Sequence, residues 1–504
     1  MASCALAAAG LLPVLVLVGL RLVSIPLAPL TGAIMAALAA AGCLALGGSV
    51  LLWFLGIALV AGLSAAVFVA RYPGSRPWVR PSGGARPTGS ANRFHRGAGM
   101  VGAAVIALAV VGSLSALRAP HIGFDARTIW LLHAVWFTDG HRTALAALSN
   151  PAIPFAHASY PPLIGGSVAI SWLITGNRSD TLGVVMIALL NACAVSIAAW
   201  AVVEVGRHCG SRVAAAHADH QALPPRRGRL EAPYVAGVVV AGLLVLVAFG
   251  VAGPFATNGY ADLLWSAAAV GAIGFALVLP GRRGDLWVGV LLLSVAGLTK
   301  QEGTATAVAI VVLITVRFAH HEWAQLSGVP WRPLGFGAIG VLALGAWPFL
   351  MVLLGASQNV AVFGVRQGDL VSRTHQTVVA MSGHLHVLAF AVPIAIAGGI
   401  ALGQVRRASG LRNDGWAWAA LALGAFLVAG TYITGPGNVG FWLDTSVHRT
   451  TFFPAICAWW IIGTWAVLGT AQAMVPRTSD PPVEAQGTGR PLDEGPPPVL
   501  HHPS

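Results

Sequence analysis

Charge is what this sequence has least of. Only 9% of its 504 residues are Asp, Glu, Lys or Arg, against about a quarter in an ordinary soluble domain, which excludes a chain built around a water-soluble core. Cysteine is scarce too: there are five, with no metal-ligand spacing. Cys4, Cys43, Cys193 and Cys457 lie in apolar runs and read as small packing residues. A nucleotide-cradling glycine loop is missing, because the pairs Gly47-Gly48 and Gly165-Gly166 sit in apolar runs without strand context. A cleaved leader is not expected, since the apolar start at 6–20 has no basic region before it and more membrane sequence after it. No inverted repeat is visible, which weighs against a secondary transporter.

Apolar sequence is what the chain has in abundance. It is 56% hydrophobic, with a mean hydropathy of +0.77. Runs of about 20 apolar residues recur, the length of helix that crosses a bilayer. Sixty-one glycines and thirty-one prolines suit membrane helices, where both are common. The net charge of +12 does not point to nucleic acid, because the arginines fall in short blocks beside apolar segments, as the positive-inside rule requires.

The expected fold class is an all-α polytopic membrane protein with about thirteen crossings, eleven to fourteen being possible. Residues 1–70 hold three apolar segments, and 71–97 form a basic cytoplasmic loop with no acidic residue. A core spans 98–470 with a large external loop at 119–162, and 471–504 form a disordered cytoplasmic tail. The run 163–174 is short for a crossing and is expected to be juxtamembrane or re-entrant. A helix is expected to cross at 385–402, and 355–383 is expected to be an external loop.

The external loop carries Asp125, Asp139, Arg127, Arg142, four histidines and three Trp or Tyr residues, none of which a lipid-facing connection needs. The charge pattern places five polar groups at this one face: Asp125 with Arg127, Tyr160-Pro161-Pro162, Tyr260 with Asp262, Lys300 with Glu302, and Asp444 with His448 and Arg449. Each has two readings. Asp125 is a helix cap or an ion pair with Arg127, or else a general base. Lys300 and Glu302 interrupt apolar sequence, where charge is expensive unless paired or wet; they form a local ion pair at a hairpin or hold a phosphate and a sugar hydroxyl. Asp262 caps its helix or touches substrate. Arg449 snorkels to the interface or grips a phosphate with its fork. Asp139, followed by Gly140, reads as a turn residue or a second catalytic carboxylate. The histidines show no repeated ligand pattern, so neither a metal nor another cofactor is expected.

The stretches GFDARTIW, YPPL, GYAD, LTKQEG and WLDTSVHR together resemble the bacterial polytopic glycosyltransferases with the C-type membrane fold. The nearest branch is that of the protein O-mannosyltransferases and the lipid A aminoarabinose transferases. The resemblance covers roughly 98–470 and leaves the three N-terminal segments outside the usual core. It implies juxtamembrane helices in the first external loop and a polyprenyl-phosphate sugar as donor. The acceptor is then a hydroxyl of a glycan, lipid or protein, and transfer takes place at the outer face of the plasma membrane. Asp125 maps onto the activating aspartate, and Lys300 and Arg449 onto the residues that hold the lipid phosphate. Asp262, Tyr260, Glu302, Arg127 and Tyr160 complete the expected substrate-binding set. One departure is that Ala126, not a second acidic residue, follows Asp125. The alternatives are a transporter or flippase of a lipid-phosphate-linked sugar, or a polymerase or ligase of lipid-linked glycans.

Overall fold

A computed structural model describes residues 2–19, 21–71, 89–116, 122–220, 227–279, 283–325, 331–356, 364–387, 389, 393 and 414–474. The described residues form helices and no strand: α1 (Ala2–Leu17), α2 (Ser24–Leu46), α3 (Val50–Arg71), α4 (Gly89–Ala116), α5 (Leu132–Asp139), α6 (His141–Leu148), α7 (Leu163–Thr175), α8 (Asp180–His220), α9 (Arg227–Ala252), α10 (Asp262–Ala272), α11 (Arg283–Thr299), α12 (Gln301–Gln325), α13 (Trp331–Leu353), α14 (Leu370–His384), α15 (Asp414–Thr434), α16 (Val439–Thr450) and α17 (Phe452–Met474). Among the described residues, eight spans are long and apolar enough to cross a membrane, and five further apolar helices have 10–17 residues. The chain is thus a multi-pass helical membrane protein. Most of the segment expected at 385–402, most of the basic loop 71–97 and the tail from 475 onward lie outside the described residues.

The core forms around α10. From Asp262 through the π-helical turn Ile273–Val278 every residue is buried, as expected of a helix that is apolar on all sides. Around it stand α8, α11, α12 and α17, while α9 packs on α8 and α17. By contrast α3 and α13 show Leu52, Leu55, Leu59, Leu63, Phe336, Leu342 and Phe349 to the outside, the belt a lipid-facing helix requires. The N-terminal segments are built into this bundle, for α2 packs against α7, α8 and α11. Small residues allow the closest approaches. A Cβ on Gly32 would run into the Leu6 carbonyl, and one on Gly166 would come 2.7 Å from the Ala36 carbonyl, a spacing that serves helix association in lipid.

Two expectations change. Residues 163–174 form a separate short helix, α7, and of its two expected placements, juxtamembrane or re-entrant, the one on a lipid surface does not hold: Leu163 through Trp172 are all buried, under α1, α2, α3, α5 and α8. Its apolar length reflects protein neighbours on every side. The loop expected at 355–383 contains a helix, α14, whose N-terminus is capped where the Asp369 carboxylate accepts from the Ser372 N–H at 2.8 Å.

The helix ends sort into two groups. At one end Arg21 pairs with Asp285 at 2.5 Å, Arg207 pairs with Glu204, and the Arg317 guanidinium donates to the carbonyls of Ala276 (2.6 Å) and Leu279 (3.3 Å). At the other end lie the start of α10, the α11–α12 turn, the C-terminus of α16 and residues 122–131. Seventeen residues from Asp262 to Val278, at about 1.5 Å each, separate the two.

Candidate functional site

The turn from Gly253 to Ala261 is the floor of the site. Asn191 on α8 holds it by donating to the Ala256 carbonyl at 2.9 Å, and Gly259 turns it with φ of +89°, a left-handed conformation that glycine adopts without cost. Residues 122–125 dock on this turn. The Gly123 N–H donates to the Asn258 carbonyl at 2.9 Å, and a Cβ on Gly123 would strike the Tyr260 ring. Asp125 then opens a π-helical turn, Ala126–Leu131, with Ile129 and Trp130 buried beneath it. Such turns often mark functional positions.

Opposite, α11 and α12 meet in a hairpin so tight that a Cβ on Gly303 would hit the Ala296 carbonyl. Thr304 closes it by donating to the Gly297 carbonyl at 2.6 Å. Lys300 sits at the turn and reaches Asp262, the first residue of α10, with Nζ 2.8 Å from Oδ1. Glu302 lies 3.3 Å from the same ammonium. From the C-terminal turn of α16, Arg449 pairs with Asp125 and sits 3.4 Å from Asp262 Oδ2. The result is one alternating chain of charges, Asp125–Arg449–Asp262–Lys300–Glu302, assembled from four separate stretches. Asp262 is 1%, Lys300 6% and Arg449 9% exposed.

Aromatic rings fix the two cations. Arg449 lies over the Tyr260 ring at 4.6 Å and near Phe255 at 5.9 Å, and Lys300 lies 5.9 Å from the Tyr160 centroid. Such contacts favour a cation most where water is excluded. Tyr160 itself stacks on Trp130 at 5.7 Å. Burial, with the Glu302 carboxylate adding to it, pushes the Tyr160 phenol far above its ordinary value, so it remains a neutral hydroxyl.

Seven of the eight residues expected from sequence therefore meet: Asp125, Tyr160, Tyr260, Asp262, Lys300, Glu302 and Arg449. The eighth does not. Arg127 is exposed, and Asp125 pairs with Arg449 in place of it, because residues two apart on a helical turn do not face each other. Asp139 pairs with Arg178 at 2.7 Å away from the cluster, and Asp444 is exposed. The His384 and His448 rings touch edge to face at 5.5 Å. Among the described residues no three His, Cys, Asp or Glu side chains are grouped to hold a metal.

Two features were not anticipated. Gln301 donates to the Ser159 hydroxyl at 2.8 Å, and the Trp347 indole donates to the Ser159 carbonyl at 2.9 Å, which tethers the loop bearing Tyr160 beside Lys300. Arg373 on α14 is fully buried and gives five hydrogen bonds of 2.5–2.9 Å to the carbonyls of Gln367, Tyr432, Ile433, Gly435 and Gly437. It thereby fixes the turn from which α16 carries Arg449. Lys300, which was expected, carries a compositional signal as well: it is the one lysine among 29 Lys and Arg residues. Everywhere else this chain uses arginine, so the compact ammonium at 300 stands out. No family model, curated protein or solved structure matches this chain.

Proposed function

We propose that this protein transfers a sugar from a polyprenyl-phosphate donor to an acceptor hydroxyl, and that its helices form a glycosyltransferase core of the C-type. The observation that carries the reading is the buried alternation of three carboxylates with two cations at one end of the bundle. Charge buried in a membrane protein is costly and marks function by default. These charges also have the chemistry the reaction needs: a carboxylate to take a proton, and a guanidinium and an ammonium to hold a phosphate.

The side of the membrane follows from charge. The opposite end carries Arg21, Arg71, Arg207, Arg317 and Arg332, and the arginine-rich loops adjoin it in sequence. At the end of the bundle that bears the site, cations are matched by acids, as in Arg178–Asp139 and Arg449–Asp125. The positive-inside rule then puts the site at the extracytoplasmic face, and we assign the chain to the plasma membrane.

In the reaction, the acceptor oxygen bonds to the anomeric carbon as the bond from that carbon to the phosphate oxygen breaks. Asp125 takes the hydroxyl proton, and the electron pair leaves with the lipid phosphate. Arg449 and Lys300 stabilise the charge that develops there. A single displacement inverts the anomeric centre. The acceptor is a glycan, lipid or protein hydroxyl. A transporter reading is less favoured, because these charges cluster at the ends of α10, α12 and α16 and not in broken helices at mid-membrane. The test is transfer of label from a panel of polyprenyl-phosphate sugars by purified protein. The expected result is transfer by wild type and none by folded Asp125→Asn. Transfer that survives in Asp125→Asn removes Asp125 as the base.

A further inference from the structure

Both cations of the site are already paired. Arg449 faces Asp125 and Asp262, and Lys300 faces Asp262 and Glu302. A lipid phosphate entering this chain would add negative charge to three carboxylates balanced by only two cations, so a carboxylate has to give way. Of the two carboxylates on Arg449, the geometry shows which one. Asp262 lies in the middle, 2% exposed in its side chain and bonded to Lys300 at 2.8 Å. Arg449 is pinned over Tyr260 and also donates to the Thr445 carbonyl at 3.3 Å. Asp125 is the freer partner. Its side chain is 17% exposed, Arg449 is its one ion pair among the described residues, and it opens the π-helical turn.

We infer that the Asp125–Arg449 pair is an internal latch: the donor phosphate replaces the Asp125 carboxylate on Arg449, and only then is Asp125 free to meet an acceptor hydroxyl. Resting on the lipid-phosphate reading above, this gives the site an order. Without donor, the base is held on a cation and does not deprotonate water or acceptor. Donor binding both fills the anion site and releases the base. The charges balance through the step that follows. Asp125 becomes neutral on taking the proton, and the departing phosphate gains the one negative charge that Asp125 loses. Glu302 has a comparable place at the far end of the chain, 3.3 Å from Lys300, with its other oxygen lacking a hydrogen-bond partner.

The latch makes a prediction opposite to that of a simple binding residue: removing the Asp125 charge strengthens donor-phosphate binding. Equilibrium binding of a polyprenyl phosphate to detergent-purified wild type, Asp125→Asn, Asp444→Asn and the double variant Asp125→Asn/Arg449→Gln tests it, with thermal unfolding as the check on folding. Asp444→Asn removes an exposed charge from the helix that bears Arg449 without freeing that cation. Asp125→Asn is expected to bind about ten-fold more tightly than wild type, as relief of one charge competition at a partly exposed site allows. Asp444→Asn is expected to match wild type, and the double variant to lose the gain. Equal or weaker binding by Asp125→Asn overturns the latch, as does an equal gain in Asp444→Asn. Tighter binding with no sugar transfer by wild type keeps the latch and removes the transferase. Transfer by wild type without tighter binding in Asp125→Asn does the reverse.

Discussion

Replacing Asp262 by asparagine strikes the centre of the charge chain. The carboxylate is almost fully buried and faces Lys300 at 2.8 Å and Arg449 at 3.4 Å. Removing one partner of a buried ion pair costs about 3–5 kcal/mol, because the charge left behind stays out of water. Here Lys300 keeps Glu302 and Arg449 keeps Asp125, so the low end of that range applies, about 3 kcal/mol. The comparison is Asp139→Asn, which breaks a pair with an Arg178 that is half exposed and is expected to cost under about 1 kcal/mol. The assay is denaturant or thermal unfolding of both variants in the same detergent. A second arm sharpens it. In the cycle with Lys300→Met, the double variant Asp262→Asn/Lys300→Met is expected to lose less stability than the two single losses added together, a coupling a mutant cycle reads directly. Equal stability losses in Asp262→Asn and Asp139→Asn, or simple additivity in the cycle, would refute the buried-chain reasoning.

Other outcomes follow from single residues. Arg373→Ala leaves five carbonyls without their donor and is expected to cost more than about 3 kcal/mol, with loss of activity as α16 loosens; proteolysis within 432–438 reads that loosening. His133 is buried against Trp136 and donates to the Ala156 carbonyl at 2.8 Å; burial lowers its pKa to about 4. Its folded pKa lies below the ordinary 6.5, so its contribution is full above pH 6.5 and falls away toward pH 4. The loss is about 3 kcal/mol, and His133→Gln should flatten that slope in unfolding measured against pH. Gly32→Val forces α1 off α2 at the Leu6 carbonyl and is expected to lower folded yield sharply, with Gly112→Ala, whose added methyl meets open space, as the unaffected control. Arg127→Ala is expected to leave both stability and transfer within about two-fold of wild type, since exposed substitutions away from packed groups change little.

Much of this arrangement was legible in the sequence because lipid makes charge conspicuous. Asp262, Lys300, Glu302 and Arg449 stand out in apolar surroundings, and the positive-inside rule put them on one face before any contact was known. Their partners were not legible. Asp125 has Arg127 two residues away, yet its ion pair is with a residue 324 positions along the chain, and no local pattern encodes such a pairing. The length of α7 also misled, since thirteen residues look interfacial by lipid thickness alone. Its Gly165 and Gly166 mark close packing only once α2 and α5 are seen beside them. Arg373 resembles any external-loop arginine; its role depends on four carbonyls gathered at a turn some sixty residues later, with a fifth at Gln367.

The central claim is that this charge chain holds a lipid phosphate while sugar leaves it, and single-turnover transfer tests it most directly. Wild type, Lys300→Gln, Arg449→Gln and Arg127→Ala would be mixed with labelled polyprenyl-phosphate sugar and acceptor, and the rate of label transfer followed. The expected result is loss of about 10²–10³-fold in rate for Lys300→Gln and Arg449→Gln, the size of removing one group that stabilises developing charge, with Arg127→Ala near wild type. Wild-type rates in folded Lys300→Gln and Arg449→Gln would contradict the account.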